Sequence, residues 1–195
     1  MSTPFSTNVR PDTGLYNAKL GLWLFLAAEA MFLGALFSSY AFLRTASESW
    51  PDGADILPLT PALLAAVACA LAAASGARAW STLKREDGAS RRWIWIAAIT
   101  ALASAIFIVL GLRMEIVEGM TPATNTFYAC WYLISALVAA HAAAAGVYTL
   151  TLLWPGAQTE DECRLQLQNR VECLGLFLQF VALGWFATFA CFYVV

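Results

Sequence analysis

Ionisable side chains are scarce in this sequence, and histidine is almost missing. Charged residues fill 12% of its 195 positions while 61% are hydrophobic, about half the charge of an ordinary soluble domain. A soluble core of that length could not absorb so much apolar surface. The one histidine, His141, excludes a bis-histidine haem site or a copper–histidine centre built from this chain alone. The five cysteines, Cys69, Cys130, Cys163, Cys173 and Cys191, form no C-x-x-C and no metal-ligand spacing. They read as small apolar residues at helix interfaces, with Cys163 on the side where thiols stay reduced. No nucleophile constellation, glycine-rich phosphate loop or acidic metal cluster is visible. No internal repeat is visible either, so an inverted-repeat transporter gains no support. A net charge of −2 argues against nucleic-acid binding. The polar stretch Met1–Lys19 does not resemble a cleavable leader, and the apolar run after it is too long for one and carries no processing site.

What is abundant is apolar length. Five runs, roughly 20–43, 60–82, 93–113, 126–153 and 172–194, each reach the span a bilayer crossing needs. The expected fold is an all-α, polytopic membrane bundle of five transmembrane helices, with residues 1–195 forming one membrane domain. Arg10, Lys19, Arg78, Lys84, Arg85, Arg91, Arg92, Arg164 and Arg170 fall on one side of these spans, and only Arg44 and Arg113 on the other. Basic residues favour the cytoplasm, so the N-terminus is expected to be cytoplasmic and the C-terminus outside. The second run is mostly alanine and is expected to rely on its neighbours. Small residues at four-residue spacing, Ser135-Ala139-Ala143 and Ala136-Ala140-Ala144, would let another helix approach the fourth span closely, and Ala30, Gly34 and Ser38 offer a similar ridge on the first.

Two ionisable groups lie near mid-bilayer depth, where charge is costly and its presence calls for a reason. At 1.5 Å per residue, Glu29 lies roughly 14 Å and His141 roughly 18 Å from the cytoplasmic ends of their helices. Similar depths allow the two to meet if their helices pack. The helix face of Glu29 carries Leu22, Phe25, Leu26, Phe32, Leu33 and Leu36 and supplies no counter-charge, so desolvation favours the neutral, hydrogen-bonded acid. The pair reads as an interhelical hydrogen bond, a proton-handling site, or a lipid or quinone contact. Arg113, Glu115 and Glu118 read as a solvated boundary.

The stretch Tyr16–Thr45, with Lys19, Gly21, Trp23, Leu24, Phe25, Leu26, Glu29 and Met31, closely resembles the N-K-x-G-x-W-L-F-L-x-S-E-x-M-x-F opening of subunit III of haem–copper (cytochrome c) oxidases. Arg113–Ala143 resembles that family's connection between consecutive spans, with Glu115, Gly119, Pro122, Asn125, Phe127 and His141 in place. Asn169–Val195 resembles its terminal helix, with Arg170, Glu172, Phe180, Val181, Trp185 and Tyr193 matching. Departures occur where the family carries a histidine, a histidine and an aspartate: Val138, Gln179 and Ala182 stand there. The resemblance implies the shorter, five-helix bacterial form, a non-redox subunit of a respiratory terminal oxidase in the bacterial inner membrane. Haem and copper would sit in partner subunits. The chain itself would stabilise subunit I, support proton uptake and hold phospholipid in a cleft between its first two helices and the remainder. Subunit II, small subunits or a larger respiratory supercomplex complete the implied partners. Glu29 and His141 form the implied buried polar site, with Glu115, Glu172, Arg170 and Trp185 as secondary structural groups. An accessory protein of nitric oxide reductase and a small stand-alone transporter are the alternatives.

Overall fold

A computed structural model describes residues 9–86, 88–153 and 161–194, with side chains from 164 onward in the last segment. The side chain of Cys163 and the tail before Val9 lie outside the described residues. Among the described residues the fold is all-helical: α1 Asn17–Ala46, α2 Gly53–Ile56, α3 Leu59–Lys84, α4 Ser90–Val117, α5 Thr126–Leu152 and α6 Asp161–Phe189, which widens into a π-helical turn at Ala190–Val194. Five of these are long and apolar enough to cross a bilayer, as the apolar runs predict. The long helices have 26 to 30 residues. At 1.5 Å per residue that is roughly 39–45 Å, more than the ~30 Å hydrocarbon layer, so they tilt or extend into the interfaces.

Local chemistry sets the ends near α2. Gly53–Ile56 makes one helical turn, with Asp52 accepting a hydrogen bond from the Ala54 N–H at 3.0 Å. Asn125 caps α5 in the same way, accepting from the Tyr128 N–H at 2.9 Å. The chain leaves α4 through Gly119 at φ +85°, a left-handed conformation that favours glycine.

Helices α3 to α6 form the body, with α3 packed chiefly on α4 and α6, and α4 on α5. The alanine-rich α3 buries a stripe of small residues, including Ala62, Ala65, Ala68, Cys69, Ala72 and Gly76, so its neighbours come close. A Cβ on Gly76 would lie 2.9 Å from Leu178 and 3.3 Å from the Gly175 backbone. A Cβ on Gly146 of α5 would meet Leu102 of α4 at 2.6 Å.

Helix α1 stands apart. It buries Leu26, Leu33 and Tyr40, a seven-residue repeat that makes a single narrow seam against α6 and α5. Much of its remaining surface, including Trp23, Leu24, Met31 and Phe42, is uncovered. This corrects two expectations. The first two long helices do not stand together against the remainder, because α3 is drawn between α4 and α6 by its small residues while α1 presents bulky ones. The ridge of Ala30, Gly34 and Ser38 is exposed, and nothing lies within 4 Å of a Cβ placed on Gly34. On α5, Ser135 and Ala139 are buried, whereas Ala136, Ala140 and Ala144 face outward.

Candidate functional site

Helices α1, α5 and α6 converge at Gly184 of α6, where a Cβ would meet Leu33 at 3.7 Å and Val138 at 3.8 Å. Glu29 precedes Leu33 by one turn, and His141 follows Val138 by just under one on the oppositely running α5. The convergence therefore turns both groups toward each other: Glu29 Oε2 lies 3.4 Å from His141 Nε2. That is near enough for an ion pair but too long and out of line for a hydrogen bond, and Oε2 is buried with no better partner.

The imidazole is oriented from its other side. Nδ1 lies 2.8 Å from the Leu137 carbonyl, so it donates there, and this geometry assigns the tautomer. Nε2 is then free to accept. Exactly one proton makes the contact attractive, either as a carboxylic acid donating to Nε2 or as an imidazolium donating to a carboxylate. Both arrangements are neutral as a pair, which limits the cost of holding them in hydrocarbon. The walls are aromatic: the Phe177 and Phe180 rings lie 5.9 and 6.5 Å from the imidazole, and Phe25 lies 6.0 Å from Phe177.

Below this pair, toward the N-terminal end, a groove of about 400 Å³ opens between α1, α5 and α6. Leu22, Phe25, Leu174 and Phe177 make it apolar, and Tyr148 and Arg170 supply its polar edge. Glu172 sits beside it as an anchor for α1. Lys19 reaches Glu172 Oε1 at 2.5 Å, and the Tyr16 hydroxyl lies 2.8 Å from the Asn169 carbonyl and 3.1 Å from Glu172 Oε2. Burial, then the Cys173 thiol and the Glu172 carboxylate, push the Tyr16 hydroxyl well above the ordinary phenol range. At the α2 end the Tyr40 hydroxyl donates to the Cys191 carbonyl at 2.7 Å, and its ring packs 4.5 Å from Phe192. Helix α1 is thus held by polar contacts at both ends and the middle.

Trp185 lies elsewhere, buried, with its Nε1–H donating to the Ala62 carbonyl of α3 at 3.2 Å. Glu115 is not on a solvated boundary. It is 3% exposed, because it continues the inward stripe of Ala101, Ser104, Ala105, Ile108 and Gly111 on α4, while Arg113 and Glu118 face outward. Among the described residues, no three His, Cys, Asp or Glu side chains come together to hold a metal.

No family model matches the chain. Individual relatives do. Subunit 3 of a cytochrome bo(3) ubiquinol oxidase from Pseudomonas aeruginosa is 26% identical over 189 residues, covering 92% of this chain and 85% of the relative. Subunit 3 of cytochrome c oxidase from Thermostichus vulcanus is 26% identical, covering 90% and 86%. The subunit 3 of cytochrome c oxidase from a Synechocystis species is 29% identical, covering 95% and 77%. The chain is thus similar to subunit 3 of respiratory oxidases along about nine-tenths of its length.

The departures from the subunit III motif fall in two environments. Val138 is buried beside Gly184, so an apolar side chain fills the place of an imidazole. Ala182 is also buried, and Gln179 is exposed. The match of Lys19, Glu29, His141 and Glu172 to the family motifs puts four motif residues into the two contacts that hold α1 to α5 and α6. Tyr16 and Tyr40 are contributors that residue-type reasoning missed. The available signal was position, since each is an aromatic with a hydroxyl at one end of the first span.

Proposed function

We propose that this chain serves as the non-redox subunit III of a bacterial respiratory haem–copper terminal oxidase, in the inner membrane with its N-terminus cytoplasmic. The observation that carries the reading is similarity to oxidase subunits 3 along nine-tenths of the chain's length. Dioxygen reduction belongs to haem and copper in partner subunits. His141 does not suit an axial-ligand role, because one ring nitrogen donates to Leu137 and the other faces Glu29.

The chain's own residues do three things in this reading. Helices α3 to α6 give a close-packed body that stabilises subunit I. The groove beside α1 takes the acyl chains of a phospholipid on Leu22, Phe25, Leu174 and Phe177, with the Arg170 guanidinium placed for the phosphate. The Glu29–His141 contact keeps one proton within the bundle and supports proton uptake by the complex. Residues 1–195 act as one membrane domain.

Deleting the gene and purifying the remaining oxidase tests the assignment. Haem and copper content should be unchanged, lipid content should fall, and the enzyme should survive fewer turnovers, with restoration by the intact gene. Loss of haem or copper in proportion to the missing chain would refute a non-redox role. An oxidase unaffected in every respect would place the chain outside the complex.

A further inference from the structure

Among the described residues, buried polar atoms without partners are few and unevenly placed. Among the described residues, Glu29 Oε2 is one; the others are Trp50 Nε1, Glu115 Oε2, Trp131 Nε1 and Ser135 Oγ, all in the half of the molecule near α2. Leaving such an atom unpaired costs about 1–3 kcal/mol, and more for a carboxylate. Glu115, Trp131 and Ser135 are 3%, 1% and 0% exposed, so bulk solvent does not reach them in this packing.

Their surroundings are polar but do not close on one another. The Tyr128 hydroxyl lies beside the Glu115 carboxyl, and the Tyr132 and Tyr193 hydroxyls lie within its electrostatic reach. The Trp131 N–H approaches the Tyr193 hydroxyl without hydrogen-bond geometry. Tyr132 is already committed, its hydroxyl donating toward the Leu112 and Met120 carbonyls at 3.1 and 2.8 Å. Besides Trp50 Nε1 and Ser135 Oγ, this leaves a donor with no acceptor, Trp131 Nε1–H, and an acceptor with no donor, Glu115 Oε2, with the Tyr128 and Tyr193 hydroxyls at hand. A water molecule fits that set: it accepts from the indole and donates to the carboxyl. Buried waters typically make about three such bonds to otherwise unsatisfied groups.

We propose that Glu115 and Trp131 form an internal hydration site at the α2 end of the bundle, one or more ordered waters bridging the carboxyl to the indole N–H and the Tyr128 and Tyr193 hydroxyls. Glu115 is then an acid in proton exchange with the nearby surface, where exposed Glu118 stands one turn away, rather than a dry structural group. The Glu29 pair has a different character, since phenylalanines surround it.

Trp185 supplies an internal reference, because its buried indole N–H is bonded directly to the Ala62 carbonyl. The test uses the assembled complex in native lipid with 15N-labelled tryptophan, read by proton-detected solid-state NMR. W131F and W185F assign the two indole resonances. The proposal expects a water cross-peak at Trp131 and rapid exchange of its N–H into D2O, while Trp185 stays protected. E115L should abolish the Trp131 cross-peak, and E115Q, which retains an acceptor, should preserve it. A wild-type Trp131 N–H as dry and protected as that of Trp185 would overturn the proposal without recourse to any variant at position 115. Loss of the cross-peak in W131F alone, with E115L unchanged, would equally overturn the bridge to Glu115.

Discussion

Glu29→Leu removes the carboxyl that α1 offers to His141 and leaves the ring's Nε2 facing phenylalanines. The size of the effect reports how the pair holds its proton. Polar contacts between transmembrane helices average about 0.6 kcal/mol and reach about 1.7 in double-mutant cycles. The 3.4 Å separation and poor alignment put this contact at the lower end, so a coupling of about 0.5–1 kcal/mol is expected for a shared-proton neutral contact. Stripping one partner from a fully charged buried pair instead costs about 3–5 kcal/mol. The measurement is a cycle of E29L, H141L and the double variant, read as equilibrium unfolding of the subunit in mixed micelles. E29Q, whose amide still donates to Nε2, should retain most of the stability and assemble normally. Zero coupling, with E29L assembling and turning over for as long as the parent, would refute a buried polar site here. Coupling above about 3 kcal/mol would mean an imidazolium–carboxylate pair and refute the carboxylic acid–imidazole arrangement.

Three further outcomes follow from the packing. G146A should destabilise the subunit by about 1–3 kcal/mol, because its Cβ meets Leu102 at 2.6 Å, whereas G34A should leave thermal stability unchanged on the open face of α1. Tyr16 has its pKa raised on folding, so its contribution is fully present below the ordinary phenol value of 10.0 and is lost as pH rises beyond it. Y16F should lower stability near neutrality and flatten that alkaline loss, measured as unfolding midpoint against pH. R170Q should reduce the anionic phospholipid retained by the purified subunit in native mass spectrometry, and unchanged retention would remove Arg170 from any lipid site.

The helices were legible in the sequence because hydrocarbon thickness imposes a minimum apolar length and charges are pushed to the ends. That Glu29 and His141 stand at matching levels along their helices was legible from helical rise. Their contact was not, because it depends on which faces α1 and α5 present, and that is set by Gly184 on a third helix. Likewise the Lys19–Glu172 and Tyr16–Asn169 contacts join opposite ends of the chain, with no local pattern to announce them. The isolation of α1 was hidden because all five runs are apolar. What separates α1 from α3 is side-chain size along the buried stripe, Leu26, Leu33 and Tyr40 against alanines and Gly76. Glu115 was misread although the signal was present. It lies on the same helical stripe as Ser104, Ile108 and Gly111, but its neighbours Arg113 and Glu118 suggested an interface.

The most direct test of subunit III membership in a working oxidase is purification of a tagged copy in mild detergent from its native membrane. On that sample, a reduced-minus-oxidised spectrum is recorded and the co-purifying proteins are identified. Haem a or o signals together with a large multi-helix oxidase subunit are the predicted result. Only b- and c-type haem with a nitric oxide reductase subunit would contradict it in favour of a denitrification complex, and a colourless protein purifying alone would contradict it in favour of a stand-alone transporter.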